Sequence, residues 1–220
     1  MDKKIFEAFK KLDTPCVSDA MDRLGIVGGL LGIEPVAKGT GKVICGPAFT
    51  VKYIPVGQVK GNVGDFLDDV PAGYVVVIDN AGRKHCTVWG DIMSTYAQMK
   101  GVEGTLIDGV CRDVKVVHEL DYPIYTKGCY MCTGKDRVQI ESVNKPVTVS
   151  DVQICQDDVI LCDDNGALCI PAARAEEVLK VAQEIEAKEQ GILKALAAGS
   201  TLGEARKASG YHHLQTREVK

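Results

Sequence analysis

Apolar positions along the chain change their spacing several times, and each change marks an element. Residues 4–12 alternate charge and bulk as a short amphipathic helix does. Thr14-Pro15-Cys16-Val17-Ser18-Asp19 interrupts that pattern, and Ser18 or Thr14 is placed to cap a second helix containing residues 20–24, ended by Gly25, Gly28 and Gly29. Residues 41–55 read as β structure and 63–67 as a short helix. Residues 72–79 form a continuous β-branched run, the signature of a strand covered on both faces. A helix is predicted over 91–100, with Met93, Ala97 and Met99 as its apolar positions, then a buried strand over 104–108 and a helix over 114–120. Short strands recur over 124–171, with Asp163-Asp164-Asn165-Gly166 as a turn, and a long helix over 173–198 precedes a polar tail. This order predicts an α/β fold: a single domain over 1–205 with a mixed central sheet and a long C-terminal helix, and a polar tail over 206–220. No internal repeat or linker-like composition divides it.

Composition narrows the function classes. A chain of 220 residues is long enough for one substantial core. Its net charge of −4 argues against nucleic acid as a partner, because displacing counterions needs a dense Lys/Arg surface. No apolar run is long enough to span a bilayer, and the segment Met1-Asp2-Lys3-Lys4-Ile5 lacks the apolar core of a secretory signal, so a cytoplasmic location without membrane contact is expected. Nine cysteines are too many to ignore, but Cys45, Cys111, Cys155, Cys162 and Cys169 sit in strand-like segments, where reduced thiols act as small buried hydrophobes. Cys129-Tyr130-Met131-Cys132 has zinc or redox spacing, yet no second such pair or paired histidine accompanies it.

Candidate chemistry concentrates in two glycine-flanked turns. Trp89-Gly90-Asp91-Ile92-Met93 is followed, twenty residues after Asp91, by Arg112-Asp113 at the end of Ile107-Asp108-Gly109-Val110-Cys111. If the turns meet, they gather two carboxylates, a guanidinium and free N–H groups around one small volume. Asp113, at a strand-to-helix turn, is the metal-ligand candidate, because hard oxygen donors select Mg²⁺ or Mn²⁺. Arg112 offers a planar fork to a carboxylate or to an oxygen gaining charge. Gly90 permits close backbone approach, and the Ile92 and Met93 N–H groups fall in a helix's first turn, where anions bind. The plainer reading, in which these residues are helix caps and a surface ion pair, stays open on the residues alone.

These residues resemble the family of RraA-like proteins and 4-hydroxy-4-methyl-2-oxoglutarate aldolases. The likeness starts at Thr14-Pro15-Cys16-Val17-Ser18-Asp19-Ala20-Met21-Asp22 and continues through Gly46-Pro47-Ala48-Phe49-Thr50-Val51. It then runs through both turns to Asp163-Asp164-Asn165-Gly166 and Pro171, with the spacing from Asp91 to Arg112-Asp113 as its specific part. The resemblance implies a swivelling β/β/α-type domain, assembled as a homotrimer or hexamer with active sites between subunits. It further implies a divalent-metal-dependent lyase that acts on small 2-oxo acids and releases pyruvate through a stabilised enolate, by aldol cleavage of 4-hydroxy-4-methyl-2-oxoglutarate-type substrates, by oxaloacetate decarboxylation, or both. Asp113 is then the ligand to Mg²⁺ or Mn²⁺. Arg112 and Asp91 are the catalytic pair, and Gly90, Asp91, Ile92, Met93 and Arg112 cradle the substrate. A glutamate of a neighbouring subunit's terminal helix, Glu189 with Glu186 as competitor, holds the metal through water. One departure stands out: an acid expected three residues after the motif aspartate is Val116 here, with Lys115 before it and Glu119 a turn later, which weakens the aldolase expectation and shifts weight to decarboxylation or to another substrate. The resemblance also admits a non-catalytic regulator that binds and inhibits an RNA-degrading enzyme. A methyltransferase reading rests on Val75–Asp79 followed by Asn80-Ala81-Gly82, but Arg83-Lys84-His85 follows in place of further glycines. His85 and Cys86 are either pocket or loop residues, and His118, His212 and His213 lack partners at ligand spacing.

Overall fold

The computed structural model describes residues 2–210. In chain order the elements are α1 (Lys3–Phe9), α2 (Thr14–Arg23), β1 (Glu34–Pro35), β2 (Ile44–Pro55), a 3-10 turn (Asp65–Asp69), β3 (Val75–Thr87), α3 (Asp91–Met99), β4 (Gly104–Val110) and α4 (Val114–Leu120). Then follow β5 (Ile124–Thr126), β6 (Val138–Val143), β7 (Val147–Val149), β8 (Val152–Ile154), β9 (Val159–Asp163), β10 (Gly166–Ile170), α5 (Ala175–Ala197) and α6 (Leu202–Ser209). The sheet runs β1-β5-β4-β3-β2-β9-β10, with β6 also paired to β2 and a separate β7–β8 hairpin. Strands β2 to β5 pair in parallel and the flanking strands are antiparallel. This is the α/β architecture with a mixed sheet and a long C-terminal helix that the pattern predicts.

Period-two alternation divides the core. In β3, Val76 and Ile78 face α3 and α4, packing with Ala97, Val117 and Trp89, while Val75 and Val77 face the hairpin residues Val147, Val149 and Ile154. In β9, Val159 and Leu161 meet α1, α2 and α5 through Phe9, Val17, Val178 and Ile185. Both faces of the central strands are therefore covered, as their unbroken apolar runs require.

Several expectations shift. The cap of α2 is neither Thr14 nor Ser18: Asp13 accepts from the Cys16 N–H, and Pro15 occupies the first turn, where its missing N–H costs nothing. Thr14 is instead tied through its N–H and hydroxyl to Asp163, both at 2.7 Å, and Ser18 lies exposed within the helix. Strand β3 extends through residues 80–87, past the expected end at 79, with positive φ at Ala81 and Gly82 and with register breaks against β4 after Asp79 and after Arg83. The Asn80-Ala81-Gly82 step is thus a bulge within a strand, and it opens no phosphate-binding loop. Residues 206–209 of the expected tail are the last turn of α6, and residues 211–220, with His212 and His213, lie outside the described residues.

Candidate functional site

The two turns converge. Parallel pairing of β3 with β4 brings their C-terminal ends side by side, and the ladder continues past the strands through the Arg112 N–H, which donates to Trp89 O at 3.1 Å. Ligand sites in parallel sheets form at such carboxyl ends. Gly90 then starts α3, and Asp113 starts α4, so two helix N-termini meet there.

Asp113 holds the junction. It occupies the N-cap position of α4 in the left-handed region (φ 58°, ψ 39°), but its side chain makes no cap hydrogen bond to its own helix. That conformation disfavours most side chains and is tolerated by aspartate. Its Oδ2 instead accepts from the Asp91 N–H at 3.1 Å and lies 3.3 Å from Arg112 Nε. Among the described residues Oδ1 accepts no hydrogen bond, and the side chain is about one-third exposed (33%). Gly90 makes this approach possible: a Cβ there would lie 2.5 Å from Asp113 Oδ2 and 3.2 Å from Arg112 Nε.

The start of α3 is fixed from behind. Trp89 Nε1 donates to Ser94 Oγ at 2.9 Å, and Ser94 Oγ donates to Gly90 O at 2.9 Å, with all three residues buried. Each such buried bond contributes about 1 kcal/mol net, and leaving one member unpaired costs more. Of the first-turn donors, the Asp91 N–H faces Asp113 and the Ile92 N–H donates to Asp91 Oδ1 at 2.7 Å, so a substrate oxygen at Ile92 must displace the Asp91 carboxylate. Gly90 and Met93 present N–H groups that helix geometry leaves without an intrahelical partner.

Two concavities flank the pair. One, of about 230 Å³, is lined by Trp89, Gly90, Asp91, Met93, Arg112 and Lys135, and is closed by Val63, Gly64, Thr133 and Gly134. The other, a wider and more open groove of about 440 Å³, is lined by Arg112, Asp113, Val114, Cys129, Tyr130 and Met131. Segment 129–135 forms a third wall that the sequence reading missed. It is held by the Thr87 N–H and hydroxyl, which donate to Cys132 O at 2.9 and 3.0 Å, and by Gly134, whose missing side chain lets Thr87 O approach. Lys135, on that wall, adds a second cation beside Arg112. Its only sequence signal was the glycine preceding it.

Other candidates lie elsewhere. His85 is exposed on β3 and Cys86 is buried in the core, so neither lines a concavity. Val116 is half-buried on α4, and Glu119 pairs with Lys115 at 3.7 Å on the exposed face. Glu189 on α5 sits near Asp13, Asp19 and Glu186, and burial followed by those charges raises its carboxyl above the usual range. No α5 residue reaches either concavity within one chain. Among the described residues no group of three or more His, Cys, Asp or Glu side chains converges as a metal cage. No helix there is long and apolar enough to cross a membrane.

Comparison with known proteins places this geometry in context. A family model described as RraA-like, Aldolase/RraA, matches residues 14–169. Protein DlpA of Legionella pneumophila is 42% identical over 193 residues, which is 86% of this chain but 31% of that protein's length. A Halalkalibacterium halodurans protein named "Putative 4-hydroxy-4-methyl-2-oxoglutarate aldolase" is 29% identical over 86% of this chain and 87% of its own. A crystal structure of an uncharacterized protein from Pseudomonas syringae pv. tomato superposes with a TM-score of 0.86 at 40% identity, covering 94% of this chain and 98% of that one.

Proposed function

The chain belongs to the RraA-like family, and from that premise we propose that it is a carbon–carbon lyase of small 2-oxo acids that works with Mg²⁺ or Mn²⁺ and releases pyruvate. The observation that carries the reading is Asp113 turned away from its own helix, with Oδ2 anchored by the Asp91 N–H and Arg112 and with Oδ1 open. The donor set suits a hard cation: the open atoms are carboxylate oxygens, and Mg²⁺ takes few protein carboxylates and keeps several waters. Asp113 would hold it, with Asp91 beside it. When bound, the cation supplies Lewis-acid stabilisation of developing negative charge, on the order of several kcal/mol.

The protein groups have separable tasks. Arg112 faces the 2-oxo oxygen, where cleavage of the C3–C4 bond of a 4-hydroxy-2-oxo acid leaves enolate charge, and its fixed guanidinium stabilises that charge without reorganising. The convergent N-termini of α3 and α4 favour the adjacent carboxylate of the substrate. Asp91 takes the proton from the C4 hydroxyl as the bond breaks, and a proton from solvent at C3 then converts the enolate to pyruvate. Decarboxylation of oxaloacetate leads to the same enolate and needs no such proton transfer. With Val116 where the aldolase pattern has an acid, both reactions belong to the proposal.

The site is completed by a second copy of the chain. Exposed Ile92 (79%) and Met99 (78%), with Tyr96 between them on α3, form an apolar stripe beside the site, and a neighbouring subunit's Glu189 would supply the acid that one chain does not. A trimer or hexamer is therefore part of the reading; nucleic acid and membrane are not. The test is pyruvate release from oxaloacetate and from 4-hydroxy-4-methyl-2-oxoglutarate, with Mg²⁺ and with chelator, by the native protein and by Asp91→Asn. Metal-dependent release is expected, with Asp91→Asn losing aldol cleavage by about 10²-fold or more and decarboxylation much less. Equal loss of both activities would remove Asp91 from the proton-transfer role.

A further inference from the structure

Cys111 immediately precedes Arg112, and Cys129 lies opposite it in a parallel backbone pair. The Cys111 N–H donates to Gly128 O at 3.2 Å, and the Tyr130 N–H donates to Cys111 O at 2.9 Å, so the backbone holds the two residues in register. Their sulfurs are 3.9 Å apart. A disulfide needs about 2.05 Å between sulfurs and Cα atoms roughly 4.4–6.8 Å apart, a range that adjacent paired strands meet, so side-chain rotation can close the gap. The two thiols differ in access: Cys111 is buried, whereas Cys129 is exposed in the groove lined by Arg112 and Asp113.

We propose that Cys111 and Cys129 form a redox modification site that takes low-molecular-weight disulfides, and that the transient adduct on Cys129 covers Arg112. In the first step the Cys129 thiolate attacks one sulfur of the small disulfide. The external S–S bond breaks, a protein–small-molecule S–S bond forms, and one small thiol leaves with the proton that Cys129 gave up. In the second, Cys111 attacks Cys129 Sγ, the protein–small-molecule S–S bond breaks, and the Cys111 proton goes to the second small thiol as it leaves. The protein is oxidised by two electrons and the small disulfide is reduced to two thiols, so the exchange balances. Access fixes the order, because the groove admits the reagent to Cys129 and the buried Cys111 meets only its neighbour. The step depends on the thiol geometry alone and holds whatever reaction the groove supports.

The experiment incubates the 220-residue protein with oxidised glutathione and follows intact mass and mapped peptides. The native chain is expected to gain one glutathione and then to lose it with two hydrogens, linking the Cys111 and Cys129 peptides. Cys129→Ser should do neither, Cys132→Ser should behave as native, and Cys111→Ser should stop at the glutathione adduct. Phenylglyoxal labelling of Arg112 should be several-fold slower in that adduct than in the reduced variant. A link between Cys129 and Cys132, an unmodified native chain, or unchanged Arg112 labelling overturns the proposal. If Cys111→Ser fails to fold, Cys129→Ser at its exposed position decides the first part, and labelling of the native protein's trapped adduct decides the second.

Discussion

At the scale of single residues the site depends on what Gly90 lacks. Backbone freedom does not explain the glycine, since φ −155° is open to any residue. The cause is contact: a methyl group would fall 2.5 Å from Asp113 Oδ2. Gly90→Ala is therefore expected to fold, to lose about 1–3 kcal/mol of stability by overpacking, and to lower pyruvate release at least tenfold, read by urea unfolding and by turnover on one preparation. Unchanged turnover would show that Asp113 is not held where the mechanism needs it. The sequence exposed Asp91, Arg112 and Asp113 because glycine-flanked acids at strand ends are conspicuous. It did not expose that Asp113 forgoes its own cap, since only the left-handed backbone at that residue turns the carboxylate across to α3.

Among elements, helices and strands with one clean period were legible, and those with mixed character were not. Strand β2 and helices α3, α4 and α5 fall within a few residues of their expected positions. The far half of β3 was hidden because Ala81 to His85 are polar or exposed and bulged, so no alternation survives. Helix α6 was passed over although Thr201-Leu202-Gly203-Glu204 spells a capping box, which the structure forms with both reciprocal bonds. The misplaced cap of α2 yields a test: Asp13→Ala should cost about 1 kcal/mol in urea unfolding, whereas Ser18→Ala, on an exposed mid-helix position, should cost nothing measurable. Gly191 of α5 gives the opposite sign. A Cβ there meets nothing within 4 Å, so Gly191→Ala should raise stability by about 0.5–1 kcal/mol through helix propensity; a loss would place another chain against that face.

For the whole molecule, Cys45, Cys111, Cys162 and Cys169 are core residues, as their apolar neighbours suggested, while Cys155, expected with them, is only partly buried just past β8. Burial pushes the Cys16 thiol up to about 12, with Glu186, Glu189 and Asp13 adding to it, and burial also raises Cys45, Cys162 and Cys169. Each keeps its proton in the native state at a pH where the unfolded chain has lost it. The native state then binds more protons, and stability falls as pH rises, from about 8.5 upward for an ordinary unfolded thiol. Urea midpoints should decline across that range, with a shallower slope in Cys16→Ala; a midpoint independent of pH would contradict the burial of these thiols. What no single-chain pattern could reveal is the third wall, built by segment 129–135, because it forms through backbone contact with Thr87 and no residue periodicity announces it. The most direct check of the converged turns is Mn²⁺ binding to the protein with pyruvate present, followed by water-proton relaxation. Enhanced relaxation in the native protein that disappears in Asp113→Asn is the predicted result. Equal binding by Asp113→Asn, or none by the native protein, would contradict a cation site centred on that carboxylate.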